Sequence, residues 1–201
     1  MKMNLPNKLT ILRVIMVPFF VAFLLLTDQY PYMKWIAFVL FVVASLTDLL
    51  DGHIARKYHL ITNFGKFMDP LADKLLVSAA LVCLTAMGDI PAWMTVIIIS
   101  REFIISGFRL IAAERGIVIA ASWWGKWKTS FTMVTLAMMI ILVNVHGFGP
   151  ALAGDSFRTQ AGVYEVLVII SQVLLWISLI LTVVSLVDYL VKNKDVMKEN
   201  N

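Results

Sequence analysis

Charge is what this chain has least of. Only 15% of its 201 residues are charged, against roughly 25% in soluble domains. Sixty per cent are hydrophobic, which excludes a disordered chain. Cysteine is almost absent. The single Cys83 rules out an intrachain disulfide and a CxxC metal or redox pair, and its place in an apolar run makes it a packing residue. The three histidines, His53, His59 and His146, have no zinc-ligand spacing, and there is no Gly-rich phosphate loop or HExxH. No repeat or low-complexity segment stands out. The net charge of +4 sits at the ends of apolar runs rather than on one soluble face, so no nucleic-acid partner is expected.

What is present is apolar sequence long enough for about six spans of roughly 20 residues. The expectation is an all-α, polytopic membrane protein: six transmembrane helices in one domain, 1–201. The first segment pairs Lys2 and Lys8 with an apolar run from Ile11 to Leu26. No small-residue cleavage site follows, so it reads as a retained helix rather than a signal peptide, with Asn7 or Thr10 as cap. Arg13, one turn inside, either snorkels to the headgroups or belongs to a site. A loop at 27–32 leads to a second helix over 33–56, and a polar connection over 57–63 to a third starting at Gly65. Pro70 either starts that helix, with Asp69 as cap, or kinks it. Gly88, Asp89 and Pro91 make the next turn.

The fourth helix, 91–113, is interrupted by Arg101, Glu102 and Arg109. Charges within a span avoid lipid, and Arg101 and Arg109, eight apart, share a face. They point into a polar cavity or pair internally with Glu102 or Glu114. A connection over 114–122 precedes a fifth helix running to His146. At its start Trp123, Trp124 and Trp127, beside Lys126 and Lys128, read as interface anchors. A loop over 147–162, a long sixth helix over 163–191 and a polar tail complete the chain. Lysine and arginine crowd one side of these spans, with only Lys34 and Arg158 on the other. By the positive-inside bias both termini are cytoplasmic.

The remaining stretch is TDLLDGHIARKYHLITNFGKFMDPLADK, from Thr47 to Lys74. Asp48 and Asp51 share a face of the second helix with Ala55, and Asp69 and Asp73 share a face of the third. Four carboxylates at a membrane edge repel and would be pushed toward protonation unless cations lay among them. Alternatively they pair with Arg56, Lys57, Lys66 and Lys74 as a solvated cluster. Hard oxygen ligands favour Mg²⁺ or Mn²⁺, and two such ions form the usual clamp for phosphoryl transfer. The small Gly52 and Ala55 let a ligand approach closely, and Arg56, Arg101, Arg109 and Lys126 suit a substrate with several phosphates.

The run Asp48-Leu-Leu-Asp51-Gly52-His-Ile-Ala55-Arg56, eight residues, then Gly65-Lys-Phe-Met-Asp69-Pro-Leu-Ala-Asp73 resembles the signature of the CDP-alcohol phosphatidyltransferases, with every fixed position filled. LPNKLTILR, SREFIISGFR and SWWGKWKTS resemble the branch that uses sn-glycerol 3-phosphate as acceptor. The resemblance implies a six-helix enzyme of the cytoplasmic membrane, commonly a homodimer, that moves a phosphatidyl group from CDP-diacylglycerol to an alcohol and releases CMP. It implies two divalent cations on Asp48, Asp51, Asp69 and Asp73, with Asp73 as general base. It further implies that Asn7, Thr10, Gly52, Ala55, Arg56 and Gly65 hold the CDP-lipid. The acceptor phosphate is assigned to Arg101, Arg109 and Lys126 because arginine forks match phosphate oxygens. Two other readings differ at the site: the same chemistry with another acceptor (a second lipid, inositol phosphate or serine), and a metal transporter. A transporter path places acids at mid-membrane, whereas these crowd the ends of two helices.

Overall fold

A computed structural model describes residues 5–57, 63–114, 123–143 and 161–193. Among them all regular structure is helical: α1 (Leu5–Leu25), a 3₁₀ turn (Leu26–Asp28), α2 (Met33–Lys57), α3 (Asn63–Ala86), α4 (Ala92–Glu114), α5 (Trp123–Leu142) and α6 (Ala161–Lys192). Segments 7–28 and 164–192 are long and apolar enough to cross a membrane, and shorter apolar stretches occupy α2, α3 and α5. His146 and most of the expected 114–122 and 147–162 connections lie outside the described residues.

The chain divides into two compact units. One holds α1, α2, α3 and the end of α5; the other holds α4, the first part of α5, and α6. In the first unit α1 packs along both α2 and α3, and α2 also touches α3. The α1 contact face is a helical stripe: Asn7, Thr10, Arg13, Val17, Phe20, Leu24 and, in the 3₁₀ turn, Thr27 are all buried, at the three- and four-residue steps of one face. Opposite them Ala37, Phe41 and Ala44 are buried in α2. Phe20 meets Phe41 at a centroid distance of 5.8 Å. Phe20 lies eight residues before the end of the 3₁₀ turn and Phe41 eight after the start of α2, so the two helices form an antiparallel hairpin. Small residues at 37 and 44 allow the close approach on which membrane helices rely.

In the second unit Trp93 packs on Trp176, Arg101 reaches Ser185, and Phe108 meets Tyr189 edge-on. Both series rise together, so α4 and α6 run parallel. On α5, Lys128 reaches Glu102 of α4, and Thr132 shares a 2.6 Å hydroxyl bond with Ser178 of α6. α5 therefore runs opposite to both.

Both units bury polar side chains beside their apolar core and expose many large apolar ones. Ser171, Ser178, Thr182 and Ser185 of α6 are buried, while Val166, Ile169, Val173, Ile180 and Val187 of the same helix are exposed. A water-soluble fold sorts these residues the other way. The hydroxyls are satisfied locally: Thr47, Thr85, Thr132, Thr135 and Thr182 each donate to the carbonyl one turn back. That is how a polar side chain is accommodated where no water can reach. The outer face is that of a protein solvated by lipid.

Three local expectations change. α1 begins at Leu5, where Pro6 suits a first turn, so Asn7 and Thr10 lie inside the helix rather than at its N-cap. α3 begins at Asn63 and continues through Pro70, so the helix does not start there. Pro70 removes the bond to Lys66 and crowds that carbonyl, so the kink is the reading that stays. α5 ends at Leu142, short of His146. The turn after α3 is as expected. Gly88 adopts φ 84°, Asp89 N–H donates to Leu84 and Gly88 N–H to Thr85, which is a Schellman cap.

Asp89 in that turn carries a pH dependence. Burial, reinforced by the Asp28 charge, raises its carboxyl to about 7. Between about 4 and 7 the folded protein keeps a proton that the unfolded chain has lost, so stability falls as pH rises through this window. Asp89→Asn removes the penalty. Melting of the purified protein in detergent should show the variant ahead of wild type at pH 8, on the order of 2 kcal/mol after allowance for partial exposure. The two should converge only at about pH 4 and below. An unchanged pH trend in the variant would clear Asp89 of responsibility.

Candidate active site

Each acidic pair lies on its expected helix. Asp48, Asp51, Gly52, Ala55 and Arg56 occupy the last turns of α2, and Gly65, Asp69 and Asp73 the first turns of α3. Their side chains lie outside the described part of the structure. What the backbone supplies is spacing and proximity. Each pair sits at i, i+3 or i, i+4 on unbroken helix, which keeps both members on one face. Lys57 ends α2 and Asn63 begins α3, so the connection reaches at most about 20 Å. Carboxylates are hard oxygen donors, the residue type that suits divalent cations.

α1 contributes more to this end than the sequence suggests. Carried toward the acidic turns, the register set by Phe20 and Phe41 puts Arg13 level with Asp48, Thr10 with Asp51 and Asn7 near Ala55. The α1 stripe is polar over this stretch: Asn7, Thr10 and Arg13 are 8%, 0% and 0% exposed. Arg13 is therefore buried among helices of its own unit and does not snorkel. The signal that could have found it is the stripe itself, since Arg13 continues the spacing of Val17, Phe20 and Leu24.

In the second unit the basic residues separate into distinct roles. Arg101 is buried. Its Nη1 donates to Glu102 at 3.2 Å and its Nη2 to Ser185 at 2.5 Å. Lys128, 2% exposed, donates to the same Glu102 oxygen. The internal ion pair set against an acceptor role for Arg101 is thus present. With Ser185 it is a four-member network that binds α4, α5 and α6 together, and sequence reasoning assigned Lys128 no part in it. Arg109 is different. It is exposed, and its guanidinium lies 6.0 Å from the centroid of the Tyr189 ring. Lys126 is on the first turn of α5, with its side chain outside the described residues. Trp123 and Trp127 are largely exposed and stack edge to face, an arrangement that fits interface anchors.

The family model for CDP-alcohol phosphatidyltransferase matches residues 3–184. A CDP-diacylglycerol–glycerol-3-phosphate 3-phosphatidyltransferase of Bacillus subtilis is 38% identical over 208 residues, covering 98% of this chain and 99% of its own. The protein of that name from Haemophilus influenzae is 47% identical over 150 residues, 72% of this chain and 79% of its own. A probable phosphatidylglycerophosphate synthase of Mycobacterium tuberculosis is 42% identical over 139 residues, 69% of this chain and 66% of its own.

Proposed function

We propose, for a chain that belongs to the CDP-alcohol phosphatidyltransferase family, that it transfers the phosphatidyl group of CDP-diacylglycerol to sn-glycerol 3-phosphate, giving phosphatidylglycerophosphate and CMP. One observation carries the reading. The complete run of four aspartates, two glycines, Ala55 and Arg56 lies on unbroken helix at the adjoining ends of α2 and α3. The end-to-end likeness to the Bacillus subtilis enzyme supports the choice of acceptor.

Asp48, Asp51, Asp69 and Asp73 would hold two divalent cations, Mg²⁺ or Mn²⁺, which when bound neutralise the pyrophosphate oxygens and the departing CMP. Asp73 takes the proton of the acceptor hydroxyl as its oxygen bonds to the lipid-side phosphorus. The bond from that phosphorus to the bridging oxygen breaks, and CMP leaves with the electron pair. A carboxylate kept ionised by positive neighbours is suited to this role. Gly52, Ala55 and Gly65 leave room for the CDP part, Arg56 pairs with its phosphates, and Asn7 and Thr10 offer hydrogen bonds from α1. Arg101, Arg109 and Lys126 bind the acceptor phosphate. The protein works as a six-span domain of the cytoplasmic membrane, as a homodimer, with both termini and the site on the cytoplasmic side.

The test is CMP release by purified protein in detergent, supplied with CDP-diacylglycerol and Mg²⁺ or Mn²⁺. Glycerol 3-phosphate, inositol phosphate, serine and phosphatidylglycerol are offered separately. Release with glycerol 3-phosphate alone is expected. Release with a different acceptor alone would keep the chemistry and overturn the acceptor. Folded protein that releases no CMP with any of them would overturn the reading and return attention to metal transport.

A further inference from the structure

The Arg101–Arg109 face of α4 has a partner on α6. Tyr189 is 2% exposed. Its ring lies under the Arg109 guanidinium and against Phe108. Arg101 is within electrostatic reach of both Arg109 and Tyr189, and it is bonded to Ser185, one helical turn before Tyr189. Two donors on this face are unspent: the Tyr189 hydroxyl and the Nε of Arg101 are buried and have no hydrogen-bond partner among the described residues. Nearly every buried donor in a folded protein is paired, so two orphans on one face ask for an explanation. An incoming oxyanion supplies one, because it brings several acceptor oxygens to a place already lined with positive charge.

We propose that Tyr189 is a further acceptor-binding residue, whose hydroxyl donates a hydrogen bond to the phosphate monoester of the acceptor, beside Arg101 and Arg109. Its ring holds the Arg109 guanidinium by a cation–π contact. Arg109 itself is exposed and gives an anion its first contact on this face. The site thus favours acceptors that carry a phosphate over a neutral alcohol, which brings no oxyanion to these donors. Tyr189 falls outside the residues matched by the family model, which end at 184. The inference rests on the acceptor assignment of Arg101 and Arg109 made above.

Tyr189→Phe keeps the ring, its edge contact and the cation–π contact, and removes only the hydroxyl. Two readouts apply to the purified full-length protein: the KM for glycerol 3-phosphate against that for CDP-diacylglycerol, and the rise in melting temperature on adding glycerol 3-phosphate alone. Loss of a hydrogen bond to a charged group should raise the acceptor KM by about tenfold and leave the CDP-lipid KM within about twofold. The acceptor-induced rise in melting temperature should shrink, since bound ligand stabilises only in proportion to its affinity. Melting without ligand should not fall, because the deleted hydroxyl bonds nothing among the described residues. A lower melting temperature with an unchanged acceptor KM would assign Tyr189 a packing role and overturn the proposal. Arg109→Ala separates the two levels of inference, with an expected selective rise in acceptor KM of tenfold or more. If Arg109→Ala has that effect and Tyr189→Phe has none, the Tyr189 proposal fails alone. If both variants raise the two KM values equally, or neither raises any, the acceptor assignment on α4 fails with it.

Discussion

Asp73→Asn should lower turnover by about a thousandfold while leaving CDP-lipid binding largely intact. The substitution keeps the shape of the side chain and its position on α3, four residues after Asp69. What it removes is the ability to accept a proton. General-base catalysis by a positioned carboxylate contributes roughly 10² to 10⁴ in rate, and the attacking hydroxyl of glycerol 3-phosphate is a poor nucleophile without it. The amide also weakens one cation ligand, so part of the loss should return at higher Mg²⁺ or Mn²⁺, whereas the base contribution should not. The measurements are CMP release per mole of folded protein across a metal titration, and the thermal shift produced by CDP-lipid. Turnover within tenfold of wild type at any metal concentration would remove Asp73 as the base.

Glu102→Gln should produce the largest loss of stability. Glu102 stands between Arg101 and Lys128, whose side chains are 9% and 3% exposed. Neutralising it removes the carboxylate oxygen that these two buried cations share. Removing one member of a buried charge network costs about 3–5 kcal/mol. Glu102 is itself 20% exposed at its side chain, so about 2–3 kcal/mol is expected after screening. The cost falls on the joint between α4, α5 and α6 and should appear as a lower melting temperature in detergent. The double variant Glu102→Gln with Lys128→Met removes the surplus cation along with the acid, and should recover at least half of the loss. A single variant that melts with wild type, or a double variant that melts below the single, would mean that the network does not hold these helices together.

The two variants show how differently the two parts of the molecule can be read from residues alone. Asp73 is legible because its partners are close in sequence: four acids, two glycines and an arginine fall within one stretch, at spacings that only a helix makes meaningful. Glu102 is not legible in the same way. Its options were an acid near Arg101, an acid near Arg109, or neither, and its second cation, Lys128, is 26 positions away. Arg13 lies between these cases. Its helical spacing is visible in the sequence, but snorkelling and burial give the same pattern until a second helix is placed against it. Pro70 shows the limit of local signals. A proline suggests a start or a kink, and because α3 runs through it the start is removed, the cost of the proline being offset by packing along the rest of the helix.

Sequence by itself determined the helical membrane class, the order of the segments, the turn at Gly88, the acidic signature and, through that signature, the chemistry. Each of these depends on residues within a few turns of one another, or on the bulk balance between apolar and charged side chains. Tertiary structure decided what sequence spacing cannot encode. It placed Arg13 inside α1's packed face, committed Lys128 to Glu102, divided Arg101 and Arg109 between a buried network and an exposed position, and set the Tyr189 ring under Arg109. The physical reason is the same in every case. A basic side chain on a single helix has water, lipid headgroup, acid and aromatic ring all within reach, and only the helix packed opposite removes the alternatives.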